Sequence, residues 1–181
     1  MKYVFLAMII SVSLISCNEA KKEVAKDIVI EETRNEVTKD IVIEEIKKVL
    51  ISGIENPKIS EDKDGNIDIY GNNNEVFSIS RNGIVIENID DDGDLDAYVS
   101  LGKSYGGNAV EDFYFIILSN NGRIAILDFL PGVQRFNLTK IEDKVLYGTI
   151  SNYGQDDPMC CPSIIEYKKY TVISGKVVEV Q

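Results

Sequence analysis

The sequence predicts a mainly β, α+β fold, an antiparallel β-meander or sandwich with one N-terminal amphipathic helix. Three observations lead there. From Lys58 onward, short β-prone runs are separated by Asn-Gly, Asp-Gly and Ser-Gly turns. Before them lies one stretch with an apolar stripe at helical spacing. The chain of 181 residues, 44% hydrophobic, is long enough for a sizeable core. Residues 1–16 read as a signal peptide, 17–36 as a charged tether and 37–181 as a single β-rich domain.

The opening "MKYVFLAMIISVSLISC" has a lysine, an apolar run from Tyr3 to Ile15 and a small residue before Cys17. It is too short for a comfortable span and has the layout of a secretory signal. Its last four residues, Leu14-Ile15-Ser16-Cys17, resemble the lipobox of bacterial lipoproteins. That resemblance implies cleavage before Cys17, acylation of its sulfur and attachment to the lipid bilayer of the cell envelope, at the outer membrane or cell surface.

Between Cys17 and Pro57 the chain is charged and free of aromatics, and "KDIVIEE" occurs twice, at Lys26–Glu32 and Lys39–Glu45. A shift of 13 residues would turn the second copy by roughly 220° on one helix, so the two cannot share a face. We assign the first copy to the tether and the second to a helix. Thr38 caps it, Val42, Ile46, Val49 and Leu50 form its stripe, and Gly53 with Pro57 ends it.

The strand runs that follow are "NIDIY", "EVFSIS", "GIVIE", "DAYVSL", "DFYFIILS", "RIAILDFL", "VQRFNL", "KVLYGTIS", "IIEYKKYTVI" and "KVVEV". "SNNGR" and "ISGK" are hairpin signals. About ten strands are too few for a propeller.

"NIDDDGDLDAYV" places an oxygen-bearing side chain on every second residue from Asn88 to Asp96. With Asn88 first, Asp90, Asp92 and Asp96 fall at positions three, five and nine, Gly93 supplies the sharp turn at six, and Asp94 offers its carbonyl at seven. The pattern resembles the calcium loops of FG-GAP and VCBS-type repeats, which implies a structural Ca2+ on these five residues. Val99, where an EF-hand has its bidentate Glu, and the strand that follows separate it from the EF-hand. The competing reading is an Asp-Gly hairpin with solvated acids. A weaker copy, "SEDKDGNIDIY", offers Ser60, Asp62, Asp64 and Asp68, either as a second metal site or as a plain hairpin.

Cys160 and Cys161 are adjacent in "DDPMCCPS". They read as a vicinal disulfide, as buried thiols, or as a redox or intermolecular pair. The "CCPS" run resembles a segment of bacterial secreted and lipoprotein domains of unknown function. Tyr98, Tyr105, Tyr114, Tyr147 and Tyr153 could line a ligand face. Lys103 and Ser104 are adjacent, so on extended chain they point apart.

The formal charge is −11, or −12 once the signal and its one lysine are removed, with no basic run to track phosphates, so nucleic acid is excluded as a partner. The chain has no histidine, which removes Ser-His-Asp triads, HExxH zinc sites and histidine bases. The expectation is a membrane-anchored envelope lipoprotein acting as a non-enzymatic, calcium-stabilised binding module for a protein or glycan. The alternatives are an envelope hydrolase or accessory subunit using carboxylate acid and base, and an inhibitor or adaptor of a secreted enzyme.

Overall fold

The structure is a computed structural model that describes residues 28–30, 37–106, 110–132, 135–158 and 161–181. The expected signal peptide (1–16), the lipidation candidate Cys17 and Cys160 lie outside these residues. The architecture is mainly β, with two antiparallel sheets and one helix among the described residues. No described helix is long and apolar enough to cross a membrane.

The helix α1 spans Lys39–Ile51, and Thr38 caps it by accepting the Ile41 N–H. Val42, Ile43 and Ile46 are buried on its inner face, with Val49 and Leu50 packed beside them. Ten residues ending in α1, "EVTKDIVIEE" (36–45), repeat "EVAKDIVIEE" (23–32) with a single difference, Ala25 in place of Thr38. The identical tripeptides Ile41–Ile43 and Ile28–Ile30 are nevertheless helical and extended, respectively: the latter is strand β1. The first copy lacks a capping side chain, and Thr33 and Glu36 stand where the second has Ile46 and Val49, so it has no apolar stripe to bury. Thr38→Ala is therefore expected to cost about 1 kcal/mol, read as a lower midpoint in urea.

The larger sheet is β1-β7-β6-β5-β4-β3-β2 in spatial order, with β2 Lys58–Glu61, β3 Ile67–Tyr70, β4 Val76–Glu87, β5 Asp96–Ser104, β6 Val110–Asn120 and β7 Arg123–Phe129. The smaller is β11-β10-β9-β8, with β8 Phe136–Glu142, β9 Val145–Asn152, β10 Ile164–Ile173 and β11 Lys176–Glu179. Strands β2 to β7 and β8 to β11 are thus two meanders. The larger sheet is the middle layer. One of its faces, with Ile69, Ile79, Val99, Ile117 and Ile126, packs on α1. The other, with Tyr98, Tyr114, Ile116 and Phe129, packs on Phe136, Leu146, Ile150 and Tyr170 of the smaller sheet. Strict alternation in β6 sends Phe115 and Ile117 one way and Tyr114 and Ile116 the other.

Three sequence expectations change. The tether contributes an edge strand, since Ile28, Val29 and Ile30 pair with Ile126, Ala125 and Ile124. The runs "EVFSIS" and "GIVIE" belong to one strand, β4, whose register on β5 shifts between Ile79 and Ile84. The Asn82-Gly83 dipeptide is therefore inside a bulge instead of a hairpin. A Cβ on Gly83 would sit 2.5 Å from the Ser100 carbonyl oxygen, so only glycine fits. The bulge also seats the start of α1: Arg81 pairs with Asp40 at 2.6 Å, and Lys39 Nζ donates to the Arg81 carbonyl at 2.7 Å. The third change is β2, whose exposed "KISE" carries no alternation to announce it.

Candidate functional site

The acidic stretch is the connection between β4 and β5, so both its ends are held in the central sheet. Ile89 is fully buried beneath it, which pins the first turn. Local Asx turns shape the rest. Asp90 Oδ1 accepts the Asp92 N–H at 3.0 Å, and Asp92 Oδ1 accepts the Asp94 N–H at 2.9 Å. Asp94 Oδ2 reaches across to the Asn121 N–H in the β6–β7 hairpin at 2.7 Å, which leaves the Asp94 carbonyl out of that contact. Gly93 takes the left-handed φ of +91°. Asp91 points away and pairs with Lys144 of the β8–β9 turn.

Asp96 differs from its neighbours. Its side chain is fully buried, with Oδ2 accepting the N–H groups of Ile89 (2.8 Å) and Asp90 (3.2 Å) and Oδ1 accepting that of Ser119 (2.9 Å). It fastens both ends of the loop to β6. Burial pushes its pKa up to about 6 against the pull of these N–H donors, and the nearby Asp90 charge adds to the rise. Asp90 is also raised, first by burial and then by Asp92 and Asp91.

At the head of the loop, Asn88 Oδ1 is shut off from solvent and has no hydrogen-bond donor. A buried amide oxygen without a partner carries a desolvation cost that a cation or an ordered water would remove. The polar side chains of this loop, Asn88, Asp90, Asp92 and Asp94, carry oxygen ligand atoms of the kind that suits a hard cation. Among the described residues, no three Asp, Glu, Cys or His side chains converge as a metal-holding group. Asn88, Asp90, Asp92 and Asp94 thus share one loop, with Asp96 beneath as its fastener.

The weaker copy is the β2–β3 hairpin. Asp62 Oδ1 accepts the N–H groups of Asp64 (2.8 Å) and Asn66 (2.9 Å), and its Oδ2 accepts the Asn66 amide (2.9 Å). Those Asn66 bonds hold its pKa below the usual carboxylate value. Asp68 lies on β3 and accepts the Ser78 hydroxyl at 2.7 Å. These bonds are those of a β2–β3 hairpin closed by Asx turns.

The tyrosines do not share a face. Tyr98 and Tyr114 are buried in an aromatic cluster with Phe129, Phe136 and Tyr170. Tyr105 donates to Glu111 and covers Lys103, which is itself paired with Glu75 at 2.8 Å. Tyr147 lies against Lys140 and Tyr153 against Arg135. Cys161 is disulfide-bonded. It lies within the loop that Asp157 closes, whose Oδ2 accepts the N–H groups of Gly154 and Ser163, both at 2.6 Å.

Two clefts that the sequence did not announce open against the smaller sheet, one between β6–β7 and the β10–β11 hairpin and one between the β7–β8 connection and β9–β11. They measure about 730 and 570 Å³ and share Leu130, Tyr170 and Glu179. In the smaller, Arg135 stacks on Tyr153 and Lys168 bridges Glu179 (3.0 Å) and Glu166 (3.4 Å). A third cavity of about 280 Å³, near the end of α1, is lined by Phe77, Phe113, Phe115 and Phe129 with Asp112 and Asp128. Asp112 there accepts the Arg135 N–H at 3.2 Å and the Tyr114 hydroxyl. Set beside this geometry, no protein-family model, no curated protein and no solved structure gives a significant match to the chain.

Proposed function

We propose that the chain is a cell-envelope lipoprotein, anchored through acylated Cys17, whose β-rich part is a non-enzymatic binding module for a protein or glycan and carries a structural Ca2+ in the Asn88–Asp96 loop. The observation that carries the binding role is the cleft at Arg135, Tyr153 and Lys168. A stacked guanidinium and aromatic ring line it, while Glu166 and Glu179 are ion-paired to Lys168 and so are not set up as an acid and base pair. The hydrolase reading would use Asp112 and Asp128 in the cavity near α1. Asp112's bonds to the Arg135 backbone and the Tyr114 hydroxyl favour a structural task for it.

The calcium proposal rests on the orphaned Asn88 Oδ1 and on the second oxygens of Asp90 and Asp92, whose first oxygens make the Asx turns. Asn88, Asp90 and Asp92 side chains with the Asp94 carbonyl would hold the ion, and Asp96 Oδ1 has a lone pair left over beside its single N–H contact. With a Kd of about 0.1 mM and about 2 mM free calcium, binding adds roughly 1.8 kcal/mol to the folded state. Wild type is expected to melt about 4–7 °C higher in calcium than in chelator. Asp92→Ala is expected to melt at the chelator temperature in both. Equal wild-type midpoints with and without calcium would sink the proposal.

A further inference from the structure

Among the described residues, the outer face of the smaller sheet carries large exposed apolar side chains in two groups, Ile165 with Tyr167 and Ile173 with Val178, separated on β10 by Lys169 and Thr171. On β10 the inward residues Tyr170 and Val172 are buried, whereas the outward Ile165, Tyr167 and Ile173 are 58%, 86% and 57% exposed. Val178, opposite Thr171 on β11, is 42% exposed. An antiparallel sheet with one wet face ordinarily keeps that face polar, and exposed apolar groups gathered on it mark an interaction surface.

Charge narrows the occupant. Lys169 is cross-strand to Tyr147, and Lys140 lies on the other side of the same tyrosine, over its ring at 4.7 Å. The acid on this side, Glu142, is ion-paired with Lys140. Lys140 and Lys169 against Glu142 leave this face net positive on a chain of formal charge −11. It suits a surface that is apolar inside and anionic outside. Tyrosines and isoleucines can enter the headgroup boundary while lysine stems bend their ammonium groups back toward phosphate. A second copy suits it less, because two such faces brought together set lysine against lysine.

The geometry points to docking of this β8–β11 face on an anionic phospholipid surface, an inference that rests on the anchored reading above. The anchor makes the docking intramolecular in effect, so weak adsorption suffices to fix which side of the protein meets the bilayer. The clefts at Arg135 and Tyr153 lie on the inward side of the same sheet and would remain open to a ligand.

The chain has no tryptophan, so Tyr167→Trp is a single fluorescent reporter, with Tyr70→Trp on β3 as its counterpart away from the face. Each is made in the full-length acylated chain and reconstituted into phosphatidylglycerol-containing or purely phosphatidylcholine vesicles. On anionic vesicles the Tyr167→Trp emission is expected to shift to the blue and lose most of its acrylamide quenching. Tyr70→Trp should change neither. Lys169→Glu or 1 M salt, where the screening length falls to about 3 Å, should reverse the shift. A solvent-like Tyr167→Trp signal on a chain that floats with the vesicles overturns the docking and leaves the anchor standing. Flotation of Cys17→Ser equal to that of the unmutated chain overturns the anchor. A blue shift that needs no vesicles and grows with protein concentration assigns the face to a second copy and overturns the lipid surface.

Discussion

Asp96→Ala is expected to destabilise the fold by about 3–5 kcal/mol, far beyond the effect of removing any other acid of its loop. The carboxylate satisfies three backbone N–H groups, and two of them, on Ile89 and Ser119, belong to buried residues that water does not reach. Each buried donor left without a partner costs about 1–3 kcal/mol, and the Asp90 donor, nearer the surface, recovers part of its loss by hydration. Against a typical total of about 5–15 kcal/mol this is a large fraction. Asp96→Asn keeps the volume but offers one acceptor oxygen, so it should fall between Ala and wild type. Urea unfolding in chelator isolates the effect from any metal, and there Asp92→Ala should cost less than about 1 kcal/mol. If Asp96→Ala and Asp92→Ala unfold at the same urea concentration, the fastening role assigned to Asp96 is wrong.

The second large effect is in the aromatic cluster between the sheets. Phe136 sits edge-on to Phe129, Tyr114 and Tyr170, with ring centroids 5.3, 5.7 and 6.0 Å away. It reaches that place by lying over Gly148 of β9, where an added Cβ would be 2.2 Å from the ring's Cζ. Phe136→Ala should cost about 3–5 kcal/mol through lost burial and an unfilled cavity. Gly148→Ala should cost about 1–3 kcal/mol or more by pushing the ring off its seat. The two share one volume, so the double variant should cost less than the sum of the singles, which a double-mutant cycle in urea would measure. Strict additivity would mean that the ring has another resting place.

Much of the architecture was legible because its signals are local. Asn121-Gly122 and Ser174-Gly175 adopt the paired positive φ values that two-residue hairpins need, and both dipeptides announce themselves. Asp143-Lys144 makes the same turn with φ of +50° and +63°; Asp143 suits it, but Lys144 stands where glycine is usual, so the dipeptide does not announce itself. The Asn82-Gly83 pair shows the reverse. It is a turn signal in sequence, yet neither residue takes a positive φ and the pair lies in a bulge where Arg81 contacts Asp40, 41 residues away in sequence. The acidic loop was legible as a location. Its alternation makes Asp96 look equivalent to Asp90 and Asp92, and only the third dimension separates a buried fastener from surface carboxylates. The clefts were illegible because Arg135, Tyr153 and Lys168 come from three separate strands or loops and form no motif.

The short pairing of β1 with β7 also sets a distance. If the chain is attached at Cys17 as proposed, a leash of eleven residues separates the attachment from the first paired residue, Ile28, and can span at most about 37 Å when fully stretched. Were those three pairs to open, the leash would run to Val37, twenty residues and about 68 Å. On the proposed anchoring, these three backbone pairings would set whether the β-rich part is held close to the bilayer or can reach roughly twice as far from it.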